Sequence, residues 1–179
     1  MKPALVHRGF NIRGFTMIEL LVTISIATIM MTVAIPSFID FIRNSRLTSQ
    51  TNDFVLALTY AKSEAVKSAQ EAVVCSSSDG TSCADSVDWE TGWIVYQDTN
   101  DDGDIDADEI LQVHAALTGG NTLRTGTKTE ITFQHTGFSP NANATFSLCD
   151  DRGATDGGRS IIVSNQGRIR TETTAATCP

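Results

Sequence analysis

The sequence predicts an α+β protein: a long N-terminal helix, membrane-spanning in its first half, packed on a small antiparallel β-sheet or sandwich domain. Three observations carry that expectation. Residues 15–35 form an apolar run with a single ionisable side chain, Glu19, and roughly 20 apolar residues in a helix suffice to cross a bilayer. Past Pro36 the apolar residues Leu47, Phe54, Leu58, Ala61 and Ala65 recur, the last four spaced 4, 3 and 4, which places them on one helical stripe. Beyond Ala72 the texture changes to short β-rich runs separated by turn residues.

Composition bounds the function. A chain of 179 residues suits one ordinary domain plus an extra element, and 41% apolar residues are enough for a real core. With 13 basic against 21 acidic residues the net charge is −8, which argues against a generally basic nucleic-acid coat. The asymmetry lies at the start. Residues 1–14 carry Lys2, Arg8 and Arg13 and no acid, so this flank stays cytoplasmic and the chain after Pro36 lies outside the cytoplasm. An ordinary cleaved signal peptide has a shorter apolar region, about 7–15 residues, and no acid within it. Glu19 is the oddity. A carboxylate in a membrane helix is costly and normally partnered, although one near the helix start also sits at headgroup level, beside the positive end of the dipole.

The residues around Glu19 decide between these two readings. Gly14-Phe15-Thr16-Met17-Ile18-Glu19-Leu20-Leu21 resembles the class III signal of type IV pilins and type II secretion pseudopilins, with Met17 where Leu is more usual. The resemblance implies that a prepilin peptidase cuts between Gly14 and Phe15 and methylates the new terminal Phe15. Glu19 then becomes the assembly carboxylate that pairs with the terminal ammonium of a neighbouring subunit. The rival pair Gly9-Phe10 fails, because the fifth residue from Phe10 is Gly14. Removing the leader leaves 10 basic against 21 acidic residues, a net charge of −11. A lone carboxylate in lipid is penalised, and a cation from a neighbour in the same layer removes most of that penalty.

The expected organisation is a prepilin leader at 1–14, a transmembrane and assembly helix at 15–36, its amphipathic continuation at 37–71, and a β-rich globular domain at 72–179. The helix runs from about Phe15 to about Gln70, with a kink at Pro36. Strands are expected at Ala72–Ser76, Gly92–Gln97, Ile110–His114, Thr129–Gln134, Ala144–Cys149, Arg159–Ser164 and Gly167–Thr171, with a hairpin turn at Asn165-Gln166-Gly167. This layout is similar to the GspH/FimT branch of minor pseudopilins, which places a helix on two small sheets. Four cysteines allow three pairings. The local one, Cys75–Cys83 with Cys149–Cys178, is expected because an extracytoplasmic location favours disulfides; the alternative is four reduced thiols.

Two segments have the residue types for binding chemistry. Asp98, Asn100, Asp102, Gly103, Asp104, Asp106 and Glu109 match the spacing D-x-[DN]-x-[DN]-G-x5-E of a calcium loop, in which alternate hard oxygens and a closing Glu suit Ca²⁺. Strands rather than helices flank it, so the other reading is an acidic, solvated hairpin loop. Near the C-terminus stands Gly167-Arg168-Ile169-Arg170, with Arg152 and Arg159 upstream. Residues two apart on a strand share a face, so Arg168 and Arg170 form a two-pronged cationic edge suited to successive phosphates. The segment resembles the GRxR motif of FimT-type minor pilins that bind DNA in natural transformation. The other reading is solvated strand arginines paired with acids such as Asp150 or Asp151.

Catalysis has no support in the sequence. His7, His114 and His135 stand beside no nucleophile pattern, and no P-loop, HExxH or GxSxG motif is present. The resemblance implies a non-enzymatic structural subunit of a type IV pilus or type II secretion pseudopilus, acting in filament assembly or priming. Its partners are other pilins or pseudopilins, the prepilin peptidase and an inner-membrane assembly platform. It spans the inner membrane once, with its globular domain in the periplasm. The second hypothesis is a DNA-binding tip subunit of a competence pilus. No cofactor is required; Ca²⁺ is the one candidate.

Overall fold

The computed structural model describes residues 14–140, 142–175 and 177–178. The leader bases, His7 and the Gly9-Phe10 pair lie outside them. The chain divides into two compact units, residues 1–41 and 42–179, and one helix, α1 (Met17–Ser68), runs through both and passes Pro36 unbroken.

In the first unit α1 has an apolar, wholly exposed segment long enough to cross a membrane. Ile18, Leu20, Leu21, Ile24, Ile29 and Met30 are all exposed. A helix apolar all round and exposed on every side among the described residues is suited to a non-aqueous surrounding.

In the second unit the same helix becomes one-sided. Leu47, Phe54, Ala57, Leu58, Ala61 and Ala65 have no solvent exposure, which is the stripe expected from spacing plus Ala57. Against it lie two four-stranded antiparallel sheets. The first has the order β3 (Ile110–His114), β2 (Trp93–Tyr96), β1 (Ala72–Ser76), β5 (Glu130–Phe133), and the second β4 (Thr122–Thr125), β6 (Ala144–Cys149), β7 (Gly158–Val163), β8 (Ile169–Glu172). A single 3-10 turn, Trp89–Thr91, precedes β2.

Phe54 joins the layers. Its ring meets Trp93 of the first sheet at 5.0 Å and Phe146 of the second at 4.8 Å, both edge-on, with Trp89 at 5.4 Å. Edge-to-face contacts of this kind add to the burial energy of the rings, and truncating such a residue to Ala costs about 3–5 kcal/mol. The Trp89 indole donates to the Lys128 carbonyl at 2.9 Å, so its polar end is satisfied within the core.

Six expected strands fall within one residue of those found at each end, and the seventh, expected at 167–171, begins two residues later, at Ile169. Strand β4 was not expected. Thr-Leu-Arg-Thr offers one apolar side chain, Leu123, so it has no alternation to detect, and only its pairing with β6 makes it a strand. The disulfides Cys75–Cys83 and Cys149–Cys178 bring their Cα atoms to 5.6 and 5.9 Å. The first closes the loop after β1, and the second ties the C-terminal segment to β6.

Candidate functional site

At the N-terminal end of α1, Gly14 has open space around its Cα and Phe15 is 80% exposed, so the Gly14–Phe15 bond is accessible. Thr16 caps the helix. Its backbone N–H and its hydroxyl both donate to Glu19 Oε2 at 3.2 Å, and the Glu19 N–H donates back to Thr16 Oγ1 at 3.3 Å. This reciprocal pair is a capping box. Sequence reasoning passed over Thr16, although the T-x-x-E spacing was there to signal it.

The acidic loop joins β2 to β3 and is closed by its own side chains. Asp98 accepts from the N–H groups of Asp101 (2.7 Å) and Gly103 (3.0 Å), and Gly103 takes a positive φ of 84°, which glycine adopts without strain. Asn100 Oδ1 accepts from Asp102 N–H, and Asp102 Oδ1 from Asp104 N–H. Glu109, only 2% exposed, accepts from the Thr99 N–H at 2.6 Å, the Thr99 hydroxyl at 2.9 Å and the Asp106 N–H at 3.3 Å. The Thr99 amide, against the opposing effect of burial, holds the Glu109 carboxyl below its usual range. The charge on Asp102 pushes Asp106 up. Among the described residues no three His, Cys, Asp or Glu side chains converge closely enough to hold a metal as placed. Side-chain oxygens of Asp98, Asn100, Asp102 and Glu109 accept from backbone N–H groups of the loop.

The four arginines do not form one patch. Arg152 lies in the turn after β6. It donates to Asp150 from Nε at 3.2 and 3.0 Å and from a terminal nitrogen at 2.7 Å, and also reaches Asn44. Burial would raise the Asp150 carboxyl, but the Arg152 hydrogen bonds prevail and lower it. Arg159 sits on β7 and donates to the carbonyls of Gly158 and Thr173, beside Thr48, Thr51 and Asn52 of α1. Arg168 precedes β8; its N–H donates to Ser164 Oγ and its carbonyl accepts from the Ser164 N–H. Arg170 lies opposite Ile162 on β8. Arg168 and Arg170 are exposed while Ile169 between them packs on the core. Only this pair shares a face, and no ion pair engages either among the described residues. Asp150 and Asp151, named as partners in the other reading of the four arginines, bind Arg152 of that set and Arg43.

His114 stacks on Trp93 at 3.9 Å with the rings 5° from parallel, and its Nδ1 lies 2.7 Å from the Ala115 carbonyl. It therefore packs and closes the end of β3.

The family model for the type II transport protein GspH matches residues 50–167, and that for the prokaryotic N-terminal methylation motif matches residues 9–35. The chain is similar to two crystal forms of the type IV minor pilin FimU of Pseudomonas aeruginosa strain PAO1. One is 26% identical, with TM-score 0.58, over 74% of this chain and 99% of that one. The other is 24% identical, with TM-score 0.59, over 78% and 99%, and shows likeness of fold. No curated protein matches significantly.

Proposed function

The chain belongs to the type II transport protein GspH family, and on that premise we propose that it is a minor pilin or pseudopilin whose N-termini pair laterally to build or prime a filament. The observation that carries this reading is Glu19, the one ionisable group in an exposed apolar helix, falling within the stretch that matches the methylation motif. Cleavage between Gly14 and Phe15 by a prepilin peptidase creates an ammonium four positions before a carboxylate, which becomes the fifth residue. In lipid each carboxylate is most stable beside a cation, and a neighbouring subunit's new terminus supplies one at matching depth. The cationic leader sets the orientation, with the β-domain in the periplasm and the helix held in the inner membrane until an assembly platform extracts it. The filament is a type IV pilus, as named for the Pseudomonas relative, or a type II secretion pseudopilus.

The test has two parts. The mass of the native N-terminus should correspond to methylated Phe15, and Glu19→Ala should leave insertion and leader removal intact while incorporation into filaments falls. An intact Met1 terminus, or normal incorporation of Glu19→Ala, overturns the reading.

Two binding properties are separable from this role. DNA contact through Arg168 and Arg170 is favoured by their exposure on either side of Ile169, with no ion pair to either among the described residues. Ca²⁺ binding by the acidic loop is favoured by the turn at Gly103 and the inward Glu109; millimolar Ca²⁺ should then raise Tm, and Glu109→Gln should abolish that rise.

A further inference from the structure

The turn after β5 and the turn between β7 and β8 meet at two glycines. Gly137 and Gly167 take positive φ, 78° and 68°, and a Cβ on Gly167 would strike the Gly137 carbonyl oxygen, so only glycine allows the turns to approach this closely. Asn165 fastens them: its carbonyl accepts from the Ser139 N–H at 3.0 Å, and its Oδ1 from the Asn143 N–H at 3.0 Å. Lys62 reaches both from α1. Its Nζ donates to the Gly167 carbonyl at 2.8 Å, and a Cβ on Gly137 would come within 3.2 Å of its Cε. One residue beyond each glycine stands an exposed side chain, Phe138 and Arg168, with Arg170 next along β8. Phe138 is 52% exposed, and no other Phe, Trp or Tyr is exposed among the described residues of the second unit.

Three cations and an exposed ring therefore gather at one corner of an acidic chain. No ion pair engages Lys62, Arg168 or Arg170 among the described residues. The nearby acids are turned elsewhere: Glu64 holds Lys67, Glu71 meets Gln134, and Glu172, at the far end of β8, lines a separate cleft with Arg159. An aromatic face among cations suits a base that stacks while its phosphates are neutralised. A duplex keeps its bases inside the stack and is stiff over about 150 base pairs. It would press its phosphates against the rest of a surface that is −11 without the leader. A flexible single strand offers a free base and bends away after a few nucleotides. We propose that this corner binds single-stranded DNA in preference to duplex, with a base on Phe138 and the flanking phosphates on Lys62, Arg168 and Arg170. This preference rests on the DNA contact proposed above for Arg168 and Arg170, and adds Lys62 and Phe138 to it.

Fluorescence anisotropy tests this on the full-length chain purified from its host in detergent, with a labelled oligothymidine and a labelled duplex of equal length. Wild type should bind the single strand about tenfold more tightly, the contribution of one stacked base. Phe138→Ala should lose that tenfold with duplex affinity unchanged, and Phe138→Trp should keep it. Phe138 carries no charge, so Phe138→Ala should leave the salt dependence of single-strand binding as it was. Lys62→Gln should lower the slope of log K against log salt by about 0.7, and Arg168→Gln/Arg170→Gln by about 1.4. Equal affinity for the two forms overturns the proposal, as does a Phe138→Ala loss shared by both. So does a single-strand preference missing from Phe138→Trp, which keeps the test decisive should Phe138→Ala fold poorly, or an unchanged slope in Lys62→Gln. In each of those cases duplex binding that Arg168→Gln/Arg170→Gln abolishes leaves the DNA contact standing, whereas no binding of either form at low salt removes both.

Discussion

Thr16 and Glu19 hold one another at the start of α1, each side chain serving the other's backbone N–H at 3.2 and 3.3 Å. Within a single chain the Glu19 carboxylate is therefore already occupied by its own first turn. The proposed pairing with a neighbour's ammonium would exchange these two hydrogen bonds to the carboxylate for one whose donor is charged as well. Thr16→Ala should fray the helix start, at about 0.5–2 kcal/mol for a lost cap, and reduce incorporation less than Glu19→Ala does. Quantifying both variants in sheared filaments checks this; a Thr16→Ala defect equal to that of Glu19→Ala would show that the cap itself drives assembly.

The two disulfides should differ in worth. Constraining the unfolded chain stabilises more for a longer loop, and the bridges span separations of 8 and 29 residues. Urea unfolding of residues 42–179, a compact unit by themselves, should lose about 2–3 kcal/mol in Cys75→Ala/Cys83→Ala and about 3–4 kcal/mol in Cys149→Ala/Cys178→Ala. The reverse order would mean that native contacts of the tighter loop outweigh chain entropy.

Asp79 should make its loop sensitive to acid. The Thr81 N–H chiefly, then the Ser82 hydroxyl and N–H, hold its carboxyl well below the usual range. A depressed folded pKa contributes stability that is present above the unfolded value, near pH 4, and is lost as pH falls towards the folded one. The Tm of Asp79→Ala should therefore lie below wild type at pH 7 and converge on it below pH 4. A gap constant across that range would rule out the carboxylate as its source.

If Arg168 and Arg170 touch DNA, gel shifts with residues 42–179 should show salt-dependent binding that Arg168→Gln/Arg170→Gln abolishes. Arg152→Gln should leave binding unchanged, because Asp150 already engages that guanidinium. An equal effect of Arg152→Gln would restore the broader patch; no shift at low salt leaves these arginines as solvated side chains.

Local pattern and chemistry made much of this protein legible. Glu19 stands out because hydrocarbon does not tolerate a lone carboxylate, and the stripe from Leu47 to Ala65 because helix periodicity is written residue by residue. Strand β4 was not legible, since a single Leu123 carries no alternation. Nor was the fate of the arginines, which depends on chain neighbours distant in sequence: Arg152 meets Asn44 of α1, and Arg159 meets Thr173.

The sequence by itself determined the anchor, the processing motif, the helix stripe and the α+β class, because each arises from interactions within a few turns or from transfer between water and lipid. Only the tertiary structure decided that Phe54 bridges two sheets and that Arg152 and Arg159 turn to Asp150 and Thr173 rather than joining Arg168 and Arg170. Those outcomes depend on register and on which strands become neighbours, and long-range pairing is set by the packing of the whole core rather than by any local run of residues.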